Sequence, residues 1–283
     1  MTSAGYQVSL LENYRERSDL IKAVTDADAL IVRSDVVDRE ILEAAGKLKI
    51  VVRAGAGFDN VDCTEASKRN IVVMNTPGQN SNAVAELAVG LMIYGVREFF
   101  SGKQGGELRG RALGLHGFGY VARNVFRIAQ SFDMRVGVFT KHSKGDAASV
   151  GLKVTESLEE LYSTSDIVSI HVPARGEHLR SVNYDILKHL KPGGIIVNTA
   201  RKEVIDEESL IKFMEQRPDI KYLSDIIPGC KAVFEQKFKG RYFFTPKKMG
   251  AETNEANTNA GLAAAGQIIS YFRTGDETFR VNR

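Results

Sequence analysis

Short apolar runs rich in β-branched residues alternate with helical patterns along almost the whole chain of 283 residues. Many of these runs are apolar over most of their length rather than alternating, which is typical of parallel strands covered on both faces. Strands that alternate with helices predict right-handed crossovers and a doubly wound α/β sheet. We expect strands at Gln7–Leu11, Ala29–Val32, Lys49–Val52, Ile71–Met74, Ala112–Gly117, Arg135–Phe139, Asp166–Val172, Gly194–Thr199, Tyr222–Ile227 and Tyr242–Thr245.

Two helical segments set the predicted domain organisation. An apolar run that begins after the cap-forming side chains of Asn80, Ser81 and Asn82 predicts a helix that ends near Phe100. A second helix is predicted from about residue 252 to about residue 271. If the first helix acts as a hinge, residues 1–79 and 254–283 form one discontinuous domain, and residues 80–253 form a nucleotide-type domain.

Composition and charge exclude several classes of protein. With 43% hydrophobic and 26% charged residues, the chain is typical of a soluble globular protein. A formal net charge of +3 is too small for a polyanion-binding surface, so we expect no nucleic-acid partner. Cys63 and Cys230 fit neither a disulfide framework nor a zinc site. The stretch Ala83–Val96 is too short to span a bilayer, and no secretory signal is visible, which favours a cytoplasmic location without a membrane partner.

A glycine-rich loop stands between a predicted strand and a predicted helix. Gly117 allows a tight turn, and Gly119 lets the backbone approach a pyrophosphate at the helix N-terminus. Ala122 stands at the third position of this fingerprint, where a small residue lets the helix pack on the strand. The motif heads a series of strand–helix units and predicts a Rossmann-type, dinucleotide-binding domain. The alternative is a glycine turn that only packs a helix.

The choice between the two nicotinamide cofactors stays open at this point. The fingerprint expects an acidic residue at the end of the next strand, where it binds the ribose hydroxyls. The residues found there are Thr140, Lys141, His142, Ser143 and Lys144, and none of them is acidic. A hydroxyl and two lysines suit the 2′-phosphate of NADP(H), whereas lysines that are only solvated leave NAD(H) as the cofactor.

Ordered matches to one enzyme family extend over nearly the whole chain. They occur at Ile31–Ser34, Val52–Asp62, Met74–Pro77, Val84–Leu87, the glycine loop, His171–Pro173, Leu190–Gly194, Asn198–Arg201 and Val204–Glu207. Through these stretches the chain resembles the D-2-hydroxyacid dehydrogenases, and among them the phosphoglycerate dehydrogenases of the short type.

The resemblance implies hydride transfer between NAD or NADP and a small 2-hydroxy or 2-oxo acid, with 3-phosphoglycerate and 3-phosphohydroxypyruvate of serine biosynthesis as the expected pair. It implies a smaller flavodoxin-like substrate domain beside the Rossmann-type domain, a site in the cleft, and a homodimer. The cofactor-binding positions that it implies are Gly117, Gly119, Tyr120, Val121, Thr140, Pro173, Thr199, Ala200, Asp225 and Gly250. The implied substrate-binding positions are Arg33, Arg53, Gly55 and Lys248.

Arg201 matches the catalytic arginine of this family. A guanidinium holds a 2-oxo acid through its carboxylate and polarises the carbonyl that accepts the hydride. Arg33 and Arg53 fall where members of the phosphoglycerate type carry cations near the substrate phosphate, although either is also compatible with a surface ion pair. We expect no metal, because a cation and a proton donor already serve the developing alkoxide.

The proton-transfer residues depart from the family pattern at two positions. The family's usual glutamate is replaced by Cys230, and Lys247 follows Thr-Pro where the usual histidine stands. Some phosphoglycerate dehydrogenases resemble this chain in carrying a lysine there. With an ordinary pKa near 10.4, a lysine is already a proton donor for carbonyl reduction at neutral pH. We therefore predict Lys247 as the acid/base, with Lys248 as the second choice and a solvated lysine pair as the alternative.

We expect a further departure at the start of the chain. Members of the family begin with a strand and a helix that precede the segment matched by Gln7–Leu11, and we expect this chain to lack that first unit. Glyoxylate or hydroxypyruvate reduction is an alternative activity. A degenerate relative that binds dinucleotide or a protein partner without catalysis is the alternative from another class. It is favoured by the missing first unit, the missing acid after Phe139 and the changed acid/base residues. A truncated product that does not fold alone also remains open.

Overall fold

The computed structural model describes all 283 residues, which divide into two compact units. The smaller unit comprises Met1–Asn80 and Thr253–Arg283, and the larger comprises Ser81–Glu252. Strands and helices are numbered separately, each in chain order. No helix has the length and apolar character that crossing a membrane requires.

The smaller unit contains a parallel sheet of three strands in the order β1-β2-β3. Its elements are α1 (Arg17–Val24), β1 (Ala29–Val32), α2 (Arg39–Ala44), β2 (Ile50–Arg53), α3 (Cys63–Lys68), β3 (Val72–Asn75) and α11 (Asn254–Thr274). One face of the sheet packs on α1, α2 and α3, and the other face packs on Ala260, Ala264 and Ile268 of α11. Because both faces are covered, the strands are apolar at almost every position, as the sequence indicated.

One predicted strand of this unit is wrong. Gln7–Leu11 forms no strand, and its apolar side chains are exposed, with Leu10 at 79% and Val8 at 45%. In the sheet β1 pairs only with β2, so residues 7–11 have no neighbouring strand with which to exchange backbone hydrogen bonds. β-branched residues form a strand only where a partner strand and a packing surface exist.

The larger unit contains seven parallel strands in the order β10-β9-β8-β7-β4-β5-β6. Its elements are α4 (Ser81–Val96), β4 (Ala112–His116), α5 (Tyr120–Ser131), β5 (Arg135–Phe139), α6 (Lys144–Ser149), β6 (Lys153–Val154), α7 (Leu158–Thr164), β7 (Ile167–Ile170), α8 (Tyr184–Leu187), β8 (Ile195–Asn198), α9 (Glu207–Gln216), β9 (Lys221–Ser224), α10 (Lys231–Lys237) and β10 (Tyr242–Phe244). Short 3-10 turns cover Thr2–Ala4, Glu98–Phe100, Gly176–His178 and Lys202–Val204. The predicted α/β class with a doubly wound parallel sheet is therefore confirmed.

Two separate cores fix the sheet of the larger unit from both sides. On one face α4 and α5 pack against Leu115, Val197 and Leu223 of the strands. On the other face α7 to α10 contribute Tyr162, Phe213 and Phe234, all of which are buried. Helices cover both faces of this sheet, so a ligand is excluded from the faces, and the crevice outside the carboxyl ends of the strands is the usual ligand site of such a sheet.

Candidate active site

Most of the polar residues singled out in the sequence lie at the carboxyl edge of the larger sheet. All of its strands are parallel, so their carboxyl ends meet at one edge. In spatial order the residues that follow the strands are Thr245 after β10, Asp225 after β9, Thr199 after β8, His171 after β7, Gly117 after β4 and Thr140 after β5. A ligand crevice outside the carboxyl ends is the usual site of such a sheet.

The glycine loop forms a cradle at the N-terminus of α5. Gly117 has φ +100°, and a Cβ there would lie 2.8 Å from the carbonyl oxygen of His171, so this position needs glycine. Gly119 has an ordinary extended φ of −85°, and a Cβ there would meet no protein atom within 4 Å. Gly119 caps α5 without a side-chain hydrogen bond, and Tyr120 and Val121 begin the helix. Open space beside uncapped N–H groups fits a pyrophosphate.

Two buried polar atoms at the same edge also have no partner in the protein. The hydroxyl of Thr199, after β8, and Nε2 of His171, after β7, are buried and accept or donate no hydrogen bond. Buried polar atoms are rarely left unpaired, and a ligand is one of the ordinary ways to satisfy them. Pro173 is exposed two residues beyond His171. These features fit a dinucleotide that extends along the edge from β4 towards β8.

The end of β5 is less cationic than its sequence suggests. Thr140 is buried, and its hydroxyl accepts a hydrogen bond of 3.3 Å from the backbone N–H of Ser143. Lys141 forms an ion pair with Glu177, which lies in the 3-10 turn after β7. A carboxylate therefore stands beside the loop in which the sequence shows no acidic residue.

Arg201 lies just beyond β8 and precedes the 3-10 turn Lys202–Val204. It is half-buried, and Nη1 of its guanidinium donates to the carbonyl oxygen of Ala200 at 2.9 Å. The rest of the guanidinium makes no hydrogen bond or ion pair with the protein, so donors remain for a ligand. A planar guanidinium with spare N–H groups can bind a carboxylate in a bidentate manner.

Asp225, which is 1% exposed, organises the segment after β10. Its Oδ1 accepts hydrogen bonds from Thr245 Oγ1 at 3.0 Å and from the N–H of Met249 at 2.9 Å. Its Oδ2 accepts a hydrogen bond from the N–H of Gly250 at 2.8 Å. A Cβ at Gly250 would lie 2.9 Å from that same oxygen, so no larger residue fits without movement. Residues 245–250 therefore form a loop that is closed on one buried carboxylate.

Lys247 and Lys248 both project from this loop and are exposed. Lys247 makes no ion pair or side-chain hydrogen bond with the protein. An exposed ammonium can exchange protons with water, which a proton donor needs in order to be restored after each turnover. The loop thus presents a proton donor at the end of β10, two strands from Arg201 at the end of β8.

Position 230, where the family usually carries a glutamate, does not offer a working acid. Burial, together with the nearby carboxylate of Glu207, raises the pKa of the Cys230 thiol to about 12. Glu207 also accepts a hydrogen bond of 2.7 Å from the N–H of Gly229. A thiol with so high a pKa stays protonated at neutral pH and does not cycle as an acid and base.

The carboxyl edge of the smaller sheet carries two guanidinium groups that lie against the same backbone segment, Ala54–Gly55. Arg33, after β1, donates from Nη1 to the carbonyl oxygen of Ala54 at 2.9 Å. Arg53 ends β2, and its guanidinium folds over Gly55, where a Cβ would lie 1.6 Å from Nη1 of Arg53. Gly55 has φ +153° and accepts a hydrogen bond of 3.0 Å from the N–H of Thr76. Position 55 favours glycine because its positive φ is one that L side chains rarely adopt, and the Arg53 guanidinium fills the space beside it.

The predicted site residues therefore fall at the carboxyl edges of two sheets, and their functional roles stay predictions. Sequence patterns do not indicate the hydrogen bonds from Thr245 and Met249 to Asp225, or the position of Glu177 beside Lys141. They also do not indicate the side-chain hydrogen bonds of Asn198, because in the sequence this residue is only the polar end of an apolar strand. One signal would have identified Asp225 and Asn198 as residues that hold neighbouring loops by hydrogen bonds. Each has a carboxylate or amide side chain at the end of a buried parallel strand or directly after it.

Comparison with known proteins decides the family. The family model described as D-isomer specific 2-hydroxyacid dehydrogenase, catalytic domain, matches residues 2–282. The chain belongs to this family. It is accordingly an oxidoreductase, and the resemblance found in the sequence is confirmed.

Three relatives illustrate the range of the family around this chain. The crystal structure of 3-phosphoglycerate dehydrogenase in Entamoeba histolytica, with the cofactor NAD+ bound, is 45% identical with a TM-score of 0.86, and the match covers 100% of this chain and 91% of that one. A hydroxypyruvate reductase of Thermotoga maritima is 36% identical over 218 residues, 72% of this chain and 70% of that protein. A D-3-phosphoglycerate dehydrogenase of Methanocaldococcus jannaschii is 31% identical over 280 residues, 91% of this chain but 52% of that protein.

The two glycines of the loop give a matched pair of substitutions. Gly117→Ala places a side chain at positive φ against the His171 carbonyl, and we expect it to lower the free energy of unfolding by about 1–3 kcal/mol. Gly119→Ala meets no protein atom, and we expect unfolding to change by less than about 0.5 kcal/mol while NADH binding weakens at least about tenfold. Urea unfolding and fluorescence titration measure the two effects. Equal NADH affinity in Gly119→Ala and the wild type would contradict the assignment of this loop to the cofactor.

Proposed function

We propose that this chain interconverts 3-phosphohydroxypyruvate and 3-phosphoglycerate with a nicotinamide cofactor. The observation that carries the proposal is the pair of guanidinium groups, Arg33 and Arg53, that both lie against the Ala54–Gly55 peptide. Two guanidiniums suit a dianionic phosphate, and the smaller unit has a glycine with positive φ that makes room for one of them. An unphosphorylated acid such as glyoxylate has one negative charge and would use fewer of these cations.

The larger unit would bind the cofactor through the residues at its carboxyl edge. Gly117 and Gly119, with the N–H groups of Tyr120 and Val121, hold the pyrophosphate, and Thr140 lies at the ribose end. Thr199, Ala200 and Pro173 line the nicotinamide end, where Asp225 and Gly250 complete the wall. When bound, the cofactor supplies or accepts the hydride. The unpaired Thr199 hydroxyl and the open space at Gly119 support this placement.

Of the two cofactors we propose NAD(H). The ion pair with Glu177 neutralises Lys141, and the Thr140 hydroxyl already accepts a hydrogen bond from Ser143. A 2′-phosphate placed there would meet the carboxylate of Glu177. Lys144 is the one lysine of this loop that has no carboxylate partner and could attract the phosphate. Repulsion between like charges therefore disfavours NADP(H) at this end of the site. The Entamoeba relative has NAD+ bound, which agrees with this choice.

The reacting groups would be Arg201 and Lys247. Arg201 binds the carboxylate of the 2-oxo acid and withdraws charge from the neighbouring carbonyl. As the hydride adds to C2, the electron pair of the carbonyl moves to oxygen, which takes a proton from the Lys247 ammonium and becomes the hydroxyl. The neutral amine then regains a proton from solvent. Lys248, on the same loop, adds positive charge for the anionic substrate.

The first test is turnover of purified protein with NADH or NADPH, with 3-phosphohydroxypyruvate, hydroxypyruvate and glyoxylate compared at equal concentration. We expect NADH and the phosphorylated acid to be preferred. Arg33→Ala and Arg53→Ala should each raise KM for the phosphorylated acid about tenfold to a hundredfold, since a charge-assisted hydrogen bond contributes about 1.5–3 kcal/mol. Their effect on hydroxypyruvate should be less than about threefold.

Other results would replace this proposal. If hydroxypyruvate or glyoxylate is the preferred substrate and neither arginine variant affects it, the chain is a reductase of unphosphorylated acids. If the folded protein binds NADH but turns over none of the three acids, it is a non-catalytic relative. The two arginines lie in the smaller unit, so loss of NADH binding on their removal would also contradict their proposed role in holding the substrate phosphate.

The assignment of the acid/base residue can be tested with two alanine variants of neighbouring lysines on the same exposed loop. Lys247→Ala should lower kcat by about 100-fold to 10,000-fold, the usual contribution of a general acid. Lys248→Ala should raise KM and leave kcat within about threefold, because losing its charge weakens the attraction of the anionic substrate without removing the proton donor. Steady-state kinetics with 3-phosphohydroxypyruvate distinguish these effects. A normal kcat in Lys247→Ala together with a low one in Lys248→Ala would transfer the role to Lys248.

A homodimer and a cytoplasmic location complete the proposal, and both rest on the resemblance to the family. The proposed place of the reaction in serine biosynthesis follows from the phosphorylated substrate. That catalysis needs no metal remains a prediction of the site chemistry.

A further inference from the structure

Asn198 is the last residue of β8, three positions before Arg201, and its side chain is completely buried. Its Oδ1 accepts a hydrogen bond of 3.0 Å from the backbone N–H of Ala200. Its Nδ2 donates to the carbonyl oxygen of Arg201 at 3.0 Å and, at a longer 3.4 Å, to the hydroxyl of Tyr222 on β9. The amide therefore closes a small ring around the backbone that carries Arg201.

The backbone of the same residue ties this ring to the next strand. The carbonyl oxygen of Asn198 accepts hydrogen bonds from the N–H of Asp225 and from Ser224 Oγ, both at 3.0 Å. Asp225 in turn holds the loop of Lys247 through Met249 and Gly250. One buried residue thus connects the segment of Arg201 with the carboxylate that closes the loop of the proposed acid.

Arg201 has little else to fix its position. Its guanidinium makes one hydrogen bond, to the carbonyl of the adjacent Ala200, and the side chain is only half-buried. A long side chain with several rotatable bonds keeps a defined position only if its backbone origin is fixed. An error of about 1 Å in the placement of a catalytic group costs about a hundredfold in rate.

We propose that Asn198 is a positioning residue that holds Arg201 in place for the substrate, an inference that rests on the proposed function. Only an amide supplies both groups that this place requires, an acceptor for the Ala200 N–H and a donor for the Arg201 carbonyl. An aspartate of the same shape presents an oxygen to the Arg201 carbonyl, so the bond is replaced by repulsion. An apolar residue leaves both part-buried backbone groups without their partner, so it would not separate positioning from folding.

The test is Asn198→Asp, which retains the shape and removes one donor. We expect kcat/KM for 3-phosphohydroxypyruvate to fall at least about thirtyfold, while Kd for NADH, measured by fluorescence titration, stays within about threefold. Ser224→Ala is the matched control, because it removes hydrogen bonds to the backbone of Asn198 and Ile226 but leaves the side-chain ring of Asn198 intact. It should keep kcat/KM within about threefold.

A double-mutant cycle with Arg201→Lys separates positioning from general stability. In the wild-type background Arg201→Lys should lower kcat/KM about a hundredfold, and in Asn198→Asp it should lower it less than about fivefold, since the arginine is already displaced. A merely structural role would give the same loss in both backgrounds. If Asn198→Asp does not fold, Asn198→Ser takes its place in the same cycle, because a hydroxyl still pairs with the Ala200 N–H but cannot reach the Arg201 carbonyl.

Two results would overturn the inference. One is kcat/KM within about threefold of the wild type in the Asn198 variant, and the other is an equal loss from Arg201→Lys in both backgrounds. Failure of the proposed function has a different signature, since wild-type protein would then bind NADH but show no turnover for Arg201→Lys to reduce.

Discussion

The loop that carries the proposed acid, Lys247, depends on the hydrogen bonds that the carboxylate of Asp225 accepts. This carboxylate is buried at the end of β9 and accepts three hydrogen bonds from the segment that follows β10. A buried charge without donors would cost several kcal/mol, so the segment is drawn closed over it. The position of Lys247, between Thr245 and Met249, follows from that closure. Because a Cβ at position 250 would lie 2.9 Å from the same carboxylate, a larger residue there would force the loop or the carboxylate to move.

The parallel sheet explains why these residues meet although they are far apart in sequence. Residues 117, 199, 225 and 245 each follow a different strand, and parallel strands bring their carboxyl ends to the same edge. Helices cover both faces, so a ligand must bind at an edge, and the carboxyl edge is the usual one in parallel sheets of this kind. The same logic applies separately to the smaller sheet, where Arg33 and Arg53 lie at the ends of adjacent strands. The site chemistry is therefore a consequence of strand order combined with the residue placed at the end of each strand.

Much of the fold follows from local sequence patterns. Largely apolar runs of four or five residues became buried parallel strands, as at Ile167–Ile170, where only Ser169 is polar, because both faces of the sheet are covered. The failure at Gln7–Leu11 has the complementary reason: local preference cannot supply a neighbouring strand. Strand β6, with only two residues, carried too little pattern to be predicted.

Residues of the candidate site could be predicted only where the residue type at one position, together with its neighbours in sequence, indicates a function. Glycine at 117 and arginine at 201 are informative by residue type and context alone. By contrast, the partners of Asp225 lie 20 to 25 residues further along the chain, and Glu177 lies 36 residues from Lys141. Pairings at such separations depend on the register and order of the strands, which no local pattern contains. The amide of Asn198 is hidden for a different reason, since its nearest partners are backbone groups of Ala200 and Arg201, and backbone groups leave no signal in residue type.

Hydride transfer to C2 of a phosphorylated 2-oxo acid is the reaction that the carboxyl edge of the larger sheet is proposed to carry out. The most informative experiment is mass analysis of the product formed by wild-type protein from 3-phosphohydroxypyruvate and NADH carrying two deuterium atoms at C4. We expect 3-phosphoglycerate with one deuterium at C2, and no labelled product from the Arg201→Lys/Lys247→Ala double variant. Binding of the labelled cofactor by folded wild-type protein without any labelled product would contradict the proposed reaction.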